Sequence, residues 1–507
     1  MLETPIHRLA TFHGMVITGL IAFVTVDVLP LINPSYHPLL RWIMLLEGMA
    51  VFQLLCAWYL EENHIQYDLF GLLLALFFLR LIYYASIGGM VSWPLRSINL
   101  HNAWLGFFGY ALGWVGLHPR TYEKAAAWSQ AVAAWPIHRR RWLMVAWFLG
   151  LAACFILFRS HHISRDGNDW IERTLQPIWH LYVREPLTIG LYRAVYLALQ
   201  PWISLSTKDV IAAVSFGSGL AALVLFHRTT CVLTVGGFDR MLSWLIVLAS
   251  GGMMIVFFGH IEVYPVLIAG IFATTYCAAR YMQERSGIIP LALALSITFL
   301  SHLSTGWLLP AFFLLPWRRR ESSTSRAADG LKLICVFGLV QALFWTGLVW
   351  WRYEGNLARF LARLFEYFHA GLDHAMFLPA AYWFDRWHLL DLAHEAIYLS
   401  LAGLILLPFS IYAAIRHVRR ETWFWGGMLL GYSLYMFFWN PDRGYPEDWD
   451  LFSPILAPLV LFQIHTLLGG TESPSQARRW VYLVTLGILP FVLGQIAYHH
   501  TVPFVRY

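Results

Sequence analysis

Long apolar runs separated by short polar stretches dominate this chain. Runs long enough to cross a hydrocarbon core of about 30 Å fall near residues 10–32, 40–60, 68–91, 102–117 and 142–158. They resume near 209–227, 241–258, 266–281, 288–301, 302–317, 331–351, 394–415, 422–439, 454–468 and 480–498. The pattern predicts an all-α polytopic membrane protein with about 15 transmembrane helices, counting one per run. The 302–317 run, short and interrupted by Pro310 and Pro316, is the least span-like. A further apolar run, 187–204, breaks the alternation, because counting it as a span inverts every later loop. Its Arg193, Pro201 and Trp202 suit a helix lying on the outer surface; a re-entrant or ordinary span is the alternative.

Composition agrees with the pattern. Of 507 residues, 59% are hydrophobic and 13% charged, which places the chain among membrane proteins. The net charge of +6 does not point to nucleic acid; in a membrane protein such an excess collects in cytoplasmic loops. With the N-terminus inside, inner loops hold 20 of the 35 Lys and Arg, whereas the short outer loops hold only Arg41, Arg96 and Arg443. The expectation is an integral multi-pass protein of the plasma or inner membrane, N-terminus cytoplasmic and Tyr507 outside. No short cleavable signal precedes the first run, which is expected to stay as an anchor. The five cysteines have no metal or redox spacing and read as small apolar residues. Residues 118–140, alanine-rich with basic ends, read as a cytoplasmic linker helix. It would separate a four-helix N-terminal membrane extension, 1–117, from a core at 141–507. Asp27, Glu47 and Arg80 fall inside that extension's runs, and a structural Glu47–Arg80 pair is the simplest reading.

This topology gathers polar stretches on the outer face. The first is the long interruption Arg159–Leu187, with Asp166, Asp169, Glu172 and Glu185. GHIEVYP brings His260, Glu262 and Tyr264; SHLSTGW brings His302, Ser304 and Thr305. The 352–393 stretch carries Arg352, Asp385 and Arg386, and NPDRGYPEDWDLFSP carries Arg443, Asp448 and Asp450. Each has a bland alternative: solvated loop acids, a capped helix end, a satisfied interfacial histidine, a Pro/Asp turn. Asp169 in particular can be an N-cap, with Glu172 three residues on completing a capping box. Together, however, ionisable groups at span ends are functional candidates. An outward carboxylate can take a proton from an acceptor hydroxyl, arginines can hold a phosphate, and carboxylates of two loops can share a divalent cation.

In this order the features resemble the GT-C superfamily of membrane glycosyltransferases, which includes protein O-mannosyltransferases and lipid A aminoarabinose transferases. The likeness runs over 141–507: the basic flank Arg139–Arg141, the acidic Asp166-Gly-Asn-Asp169, a Glu185-Pro186-Leu187 segment opening a surface helix, and the turn His302, Thr305, Gly306 before a proline-containing span. It departs from the family in the Gly-Asn between the acids, and the four N-terminal runs have no counterpart. The resemblance implies inverting transfer from a polyprenyl-phosphate-linked sugar to a lipid, glycan or protein acceptor outside the membrane. Asp166 or Asp169 would be the catalytic base. Glu185, His260, Glu262, Tyr264, His302, Arg443, Asp448 and Asp450 would line the substrate site. A Mg or Mn ion held by Asp166 and Asp450 is a candidate cofactor. The rival is a secondary transporter, which needs midplane charges on broken helices; the runs after 209 are nearly free of central charges.

Overall fold

The computed structural model describes residues 119–161, 165–175, 185–318, 323–362, 377–417, 419–441, 449–469 and 475–501. The first four expected spans, with Asp27, Glu47, Arg80 and Cys56, lie outside the described residues. Two compact units are present: Met1–Trp128 with Tyr482–Tyr498, and Ser129–Val481 with His499–Tyr507. In the first, Tyr122 meets Tyr482 edge-on at 5.3 Å. The second carries the candidate site.

The described residues are helical, with one isolated bridge between Phe377 and Trp439. The helices are α1 (Pro119–Ala134), α2 (Ile137–Leu157), α3 (Arg165–Leu175), α4 (Pro186–Leu199), α5 (Thr207–Leu233), α6 (Gly237–Leu248), α7 (Gly251–Phe257) and α8 (Tyr264–Met282). There follow α9 (Ile288–Ser301), α10 (Leu309–Leu314), α11 (Ser323–Tyr353), α12 (Arg386–Arg416), α13 (Arg420–Phe438), α14 (Leu456–Gln463) and α15 (Ser475–Thr501). Among the described residues, six helical segments are long and apolar enough to cross a membrane, or up to seven if the bent pair α6–α7 is one span. The described residues thus carry fewer full-length spans than the apolar runs predict, because several runs fold as short or broken helices. The 302–317 run is one: 3₁₀ turns flank the six-residue α10.

Local chemistry starts these helices. The Ser206 hydroxyl accepts from Asp209 N–H at the start of α5, and Asp209 complements that end of the helix dipole. Pro186 opens α4, where a missing N–H costs nothing. Asp385 caps α12 by accepting from Trp387 N–H at 3.0 Å. In the second unit α5 packs along α8, α8 on α9 and α9 on α11, while α13 lies against α14. The Trp449–Leu468 segment is the most enclosed span; α2 and α11 present mostly open apolar faces, as lipid-facing helices would. Trp425, Tyr432 and Tyr435 are fully buried at the centre.

One sequence expectation changes, and for the 187–204 run the alternatives narrow. The Arg159–Leu187 interruption contains a helix, α3, that buries Gly167, Trp170 and Thr174 along one stripe. The apolar 187–204 run forms only the 14-residue α4, followed by turns. At 1.5 Å per residue α4 is about 21 Å long, too short to cross unaided.

Candidate functional site

One end of the second unit is knitted from chain segments far apart in sequence. Its centre is the turn between α7 and α8. Gly259 there has φ +79°, and an added Cβ would lie 2.7 Å from the Phe216 ring, so only glycine fits. The turn is fixed by Ser215 Oγ, which donates to the His260 carbonyl at 2.8 Å, and by Ser160 N–H, which donates to the Phe258 carbonyl at 2.7 Å.

Glu262, buried in this turn, is engaged on two sides. Trp170 Nε1 donates to its Oε2 at 2.7 Å, and the Tyr192 hydroxyl donates to its carbonyl at 2.6 Å. The first contact ties α3 to the turn; the second ties α4. Burial, then the charges of Glu262 and Glu185, raise the Tyr192 phenol well above its ordinary pKa, so it stays a donor. Glu185 itself is buried at the head of α4. Thr188 Oγ1 donates to the Ser301 carbonyl at 2.9 Å, joining α4 to α9.

Two residues before Glu262, His260 Nε2 meets Asp450 Oδ2 at 2.7 Å, and both side chains are almost wholly buried. Trp449 covers the His260 ring at 5.4 Å, and His499 lies edge-on to it at 6.4 Å. His499 in turn pairs through Nε2 with the Tyr398 hydroxyl. His302 sits on the far side of Tyr264, ring to ring at 5.7 Å. Its Nδ1 accepts from Ser304 N–H at 3.1 Å, so in the neutral ring the proton is on Nε2.

No family model and no curated protein matches this sequence. A solved structure similar to this chain is ArnT from Cupriavidus metallidurans in the apo state. The identity is 12%, the match covers 70% of this chain and 76% of that one, and the TM-score is 0.47.

The site therefore joins Glu262, His260, Asp450, Tyr264, His302 and Glu185, with α3 attached through Trp170. Asp166 and Asp169 both lie on α3, three residues apart and so on one helical face. Asp169 is not an N-cap: the helix starts at Arg165, and the Asp169 carboxylate instead faces Arg173 at 3.8 Å, half-exposed. Arg173 also lies over the Trp170 ring at 4.8 Å. Arg443 and Asp448 are outside the described residues. Of the two carboxylates proposed to share a Mg or Mn ion, Asp450 has its Oδ2 engaged by His260, which leaves Oδ1 as the oxygen that would face a cation. Among the described residues no three metal-ligating side chains converge.

Sequence reasoning passed over Trp170, Tyr192, Trp449, Tyr398 and His499. An aromatic residue carrying one polar atom, beside a run of acids, is a weak local signal of such a partner.

Proposed function

We propose that this chain transfers a sugar from a polyprenyl-phosphate-linked donor to an acceptor outside the membrane, with inversion. The observation that carries the reading is the attachment of the acid-bearing helix α3 to the buried 259–263 turn through Trp170 and Glu262. A membrane protein has little reason to bury a carboxylate at a helix junction unless it holds something in register. Here it would hold α3, and Asp166 and Asp169 with it, at the end of the unit where His260 and Tyr264 lie. The proton of the acceptor hydroxyl passes to one α3 carboxylate, Asp166 first and Asp169 as the alternative. The acceptor oxygen bonds to the anomeric carbon. The bond from that carbon to the phosphate oxygen breaks, and its electron pair stays with the phosphate. A phosphate is already a good leaving group, so the base contributes more than an acid. The acceptor is a lipid, a glycan or a protein. The site faces outward, the N-terminus is cytoplasmic, and residues 141–507 form the catalytic core.

A second reading, a secondary transporter, draws on the helix breaks. α6 and α7 meet at 77°, α12 is non-helical at Ser400, and a π turn follows Gln463. Ser250, Ser400 and Gln463 lie buried at these breaks, and Glu395 on α12 is fully enclosed. Broken helices with interior polar groups suit an ion or solute path.

Lipid analysis of a strain lacking the gene separates the two. Transfer predicts an accumulated polyprenyl-phosphate sugar and an envelope glycan short of that sugar. A normal glycan profile with no accumulated donor would contradict it.

A further inference from the structure

Among the described residues, three buried polar groups beside the 259–263 turn have no hydrogen-bond partner: Arg159 Nε and Nη2, Ser160 Oγ and His260 Nδ1. They belong to one neighbourhood. Ser160 N–H binds the Phe258 carbonyl, and Arg159 Cγ lies 3.3 Å from where a Gly259 Cβ would stand. Ser160 and His260 are each at most 2% exposed. An unsatisfied buried donor costs about 1–3 kcal/mol, and three at one junction are not a packing accident of a single side chain.

We propose that Arg159, Ser160 and His260 form a cradle for the phosphate of a lipid-phosphate substrate. The inference rests on the transfer reading and names the donor's anchoring group. Each basic group has one acidic partner that fixes its direction and leaves other donors over. Arg159 Nη1 is held by Asp209 at 2.7 Å, leaving Nε and Nη2. His260 Nε2 is held by Asp450, leaving Nδ1. With Nε2 on the Asp450 carboxylate, the Nδ1–H of an imidazolium is a second donor left over for a ligand. A guanidinium, a hydroxyl and an imidazolium together supply the charge-assisted bonds a phosphate oxygen takes. The surroundings are basic. Partial burial, then the positive charges of His500, Lys208 and Arg159, hold the His161 imidazole below its ordinary pKa. Among the described residues, Asp209 and Asp450 are the acids bound to the cradle's cations, and the buried Glu262 lies two residues from His260 with its carboxylate turned to Trp170. In the reaction the cradle binds the leaving phosphate while the α3 carboxylate takes the acceptor proton. No proton needs to move at His260.

The test is binding by the purified full chain in detergent, with a short-chain isoprenyl monophosphate as probe. The matching isoprenyl alcohol and inorganic phosphate serve as comparators. Wild type is expected to bind the isoprenyl phosphate at least about tenfold more tightly than either comparator, as charge-assisted bonds allow. Arg159→Gln and His260→Gln are expected to lose about tenfold or more, and Ser160→Ala a few-fold. Ser160→Ala removes one oxygen from a loop position, so it keeps the test open if a charge variant fails to fold. Equal binding of alcohol and phosphate, or wild-type affinity in folded Ser160→Ala and His260→Gln, would overturn the cradle. Inorganic phosphate binding as tightly as the lipid phosphate would overturn the lipid assignment. A cradle that binds without any transfer activity would remove the transfer reading alone. Transfer that survives all three substitutions would remove the cradle alone.

Discussion

Trp170 and Glu262 are 92 positions apart, yet the indole N–H of one donates to the buried carboxylate of the other at 2.7 Å. Through that bond the placement of α3 depends on the turn between α7 and α8. Trp170→Phe keeps the ring and removes the donor, leaving a buried carboxylate oxygen short of one hydrogen bond. The cost is about 1–3 kcal/mol, and turnover is expected to fall while donor affinity stays near wild type. Glu262→Gln keeps an acceptor for Trp170 and is expected to be milder. Steady-state kinetics of the two variants check this; a fully active, folded Trp170→Phe would show that the bond positions nothing.

Gly259 offers a test of the turn itself. With φ at +79° and Phe216 against its Cα, Gly259→Ala is strained twice over. The backbone part alone is worth about 1–3 kcal/mol. The variant is expected to melt earlier than wild type and to lose the His260–Asp450 pairing. An unchanged melting curve would mean that the turn rearranges freely.

How much of this was legible in the sequence follows from how local each feature is. GHIEVYP stood out because a polar knot between apolar runs is a local signal, and the fold buries His260, Glu262 and Tyr264 there against Asp450, Trp170 and His302. The apolar runs anticipated α2, α5, α11 and α12 for the same reason. The start of α3 was not legible. Asp-x-x-Glu at Asp169 and Glu172 mimics a capping box, but burial of Gly167 and Trp170 extends the helix back to Arg165. Tertiary packing overrides local propensity there. The pairing of His260 with Asp450 spans 190 positions and leaves no mark on either neighbourhood. Nor does composition show that the 241–258 run bends by 77° in its middle.

The protein's own contribution to the pH dependence of phosphate binding has a definite sign. His161 titrates below 6.5, through burial and then His500, Lys208 and Arg159. In the folded protein the neutral ring is favoured, so stability is fully present above 6.5 and declines as pH falls from there through the lowered midpoint. An anion among these cations relieves the repulsion and raises that midpoint. Binding of an isoprenyl methyl phosphodiester, whose single charge does not titrate in this range, should therefore take up a proton and tighten as pH falls through the same window; the monophosphate's own second ionisation, at about pH 6, works in the opposite direction. Titrations at several pH values check this; affinity that weakens on acidification there would contradict it.

Orientation is open to thiol labelling. With the exposed native cysteines replaced, Ser204→Cys should react with an impermeant reagent in intact cells, because the 159–208 segment is assigned to the outside. His417→Cys should react only after permeabilisation. Both positions are exposed, so access within the fold does not confuse the result. The opposite pattern would invert the topology and put the site on the cytoplasmic face.

The polar groups at the helix breaks separate transfer from transport. Gln463 Nε2 donates to the Gly403 carbonyl at 2.7 Å, and Ser400 Oγ accepts from Gly403 N–H at 3.0 Å. For a transferase these bonds repair broken backbone, so Ser400→Ala is expected to lower stability and leave turnover of the folded fraction near wild type. Loss of function in a stable Ser400→Ala protein would favour the transport reading.

The central claim is that an α3 carboxylate accepts the proton of the attacking hydroxyl. Its most direct test is the level of polyprenyl-phosphate sugar in a deletion strain complemented with Asp166→Asn, Asp169→Asn or both. Losing a general base costs about 10²–10⁴-fold in rate. The account predicts that the doubly substituted protein, present in the membrane at normal amounts, leaves the donor accumulated as in the deletion. It predicts that Asp166→Asn alone does most of this. Donor restored to the wild-type level by the double variant would contradict it.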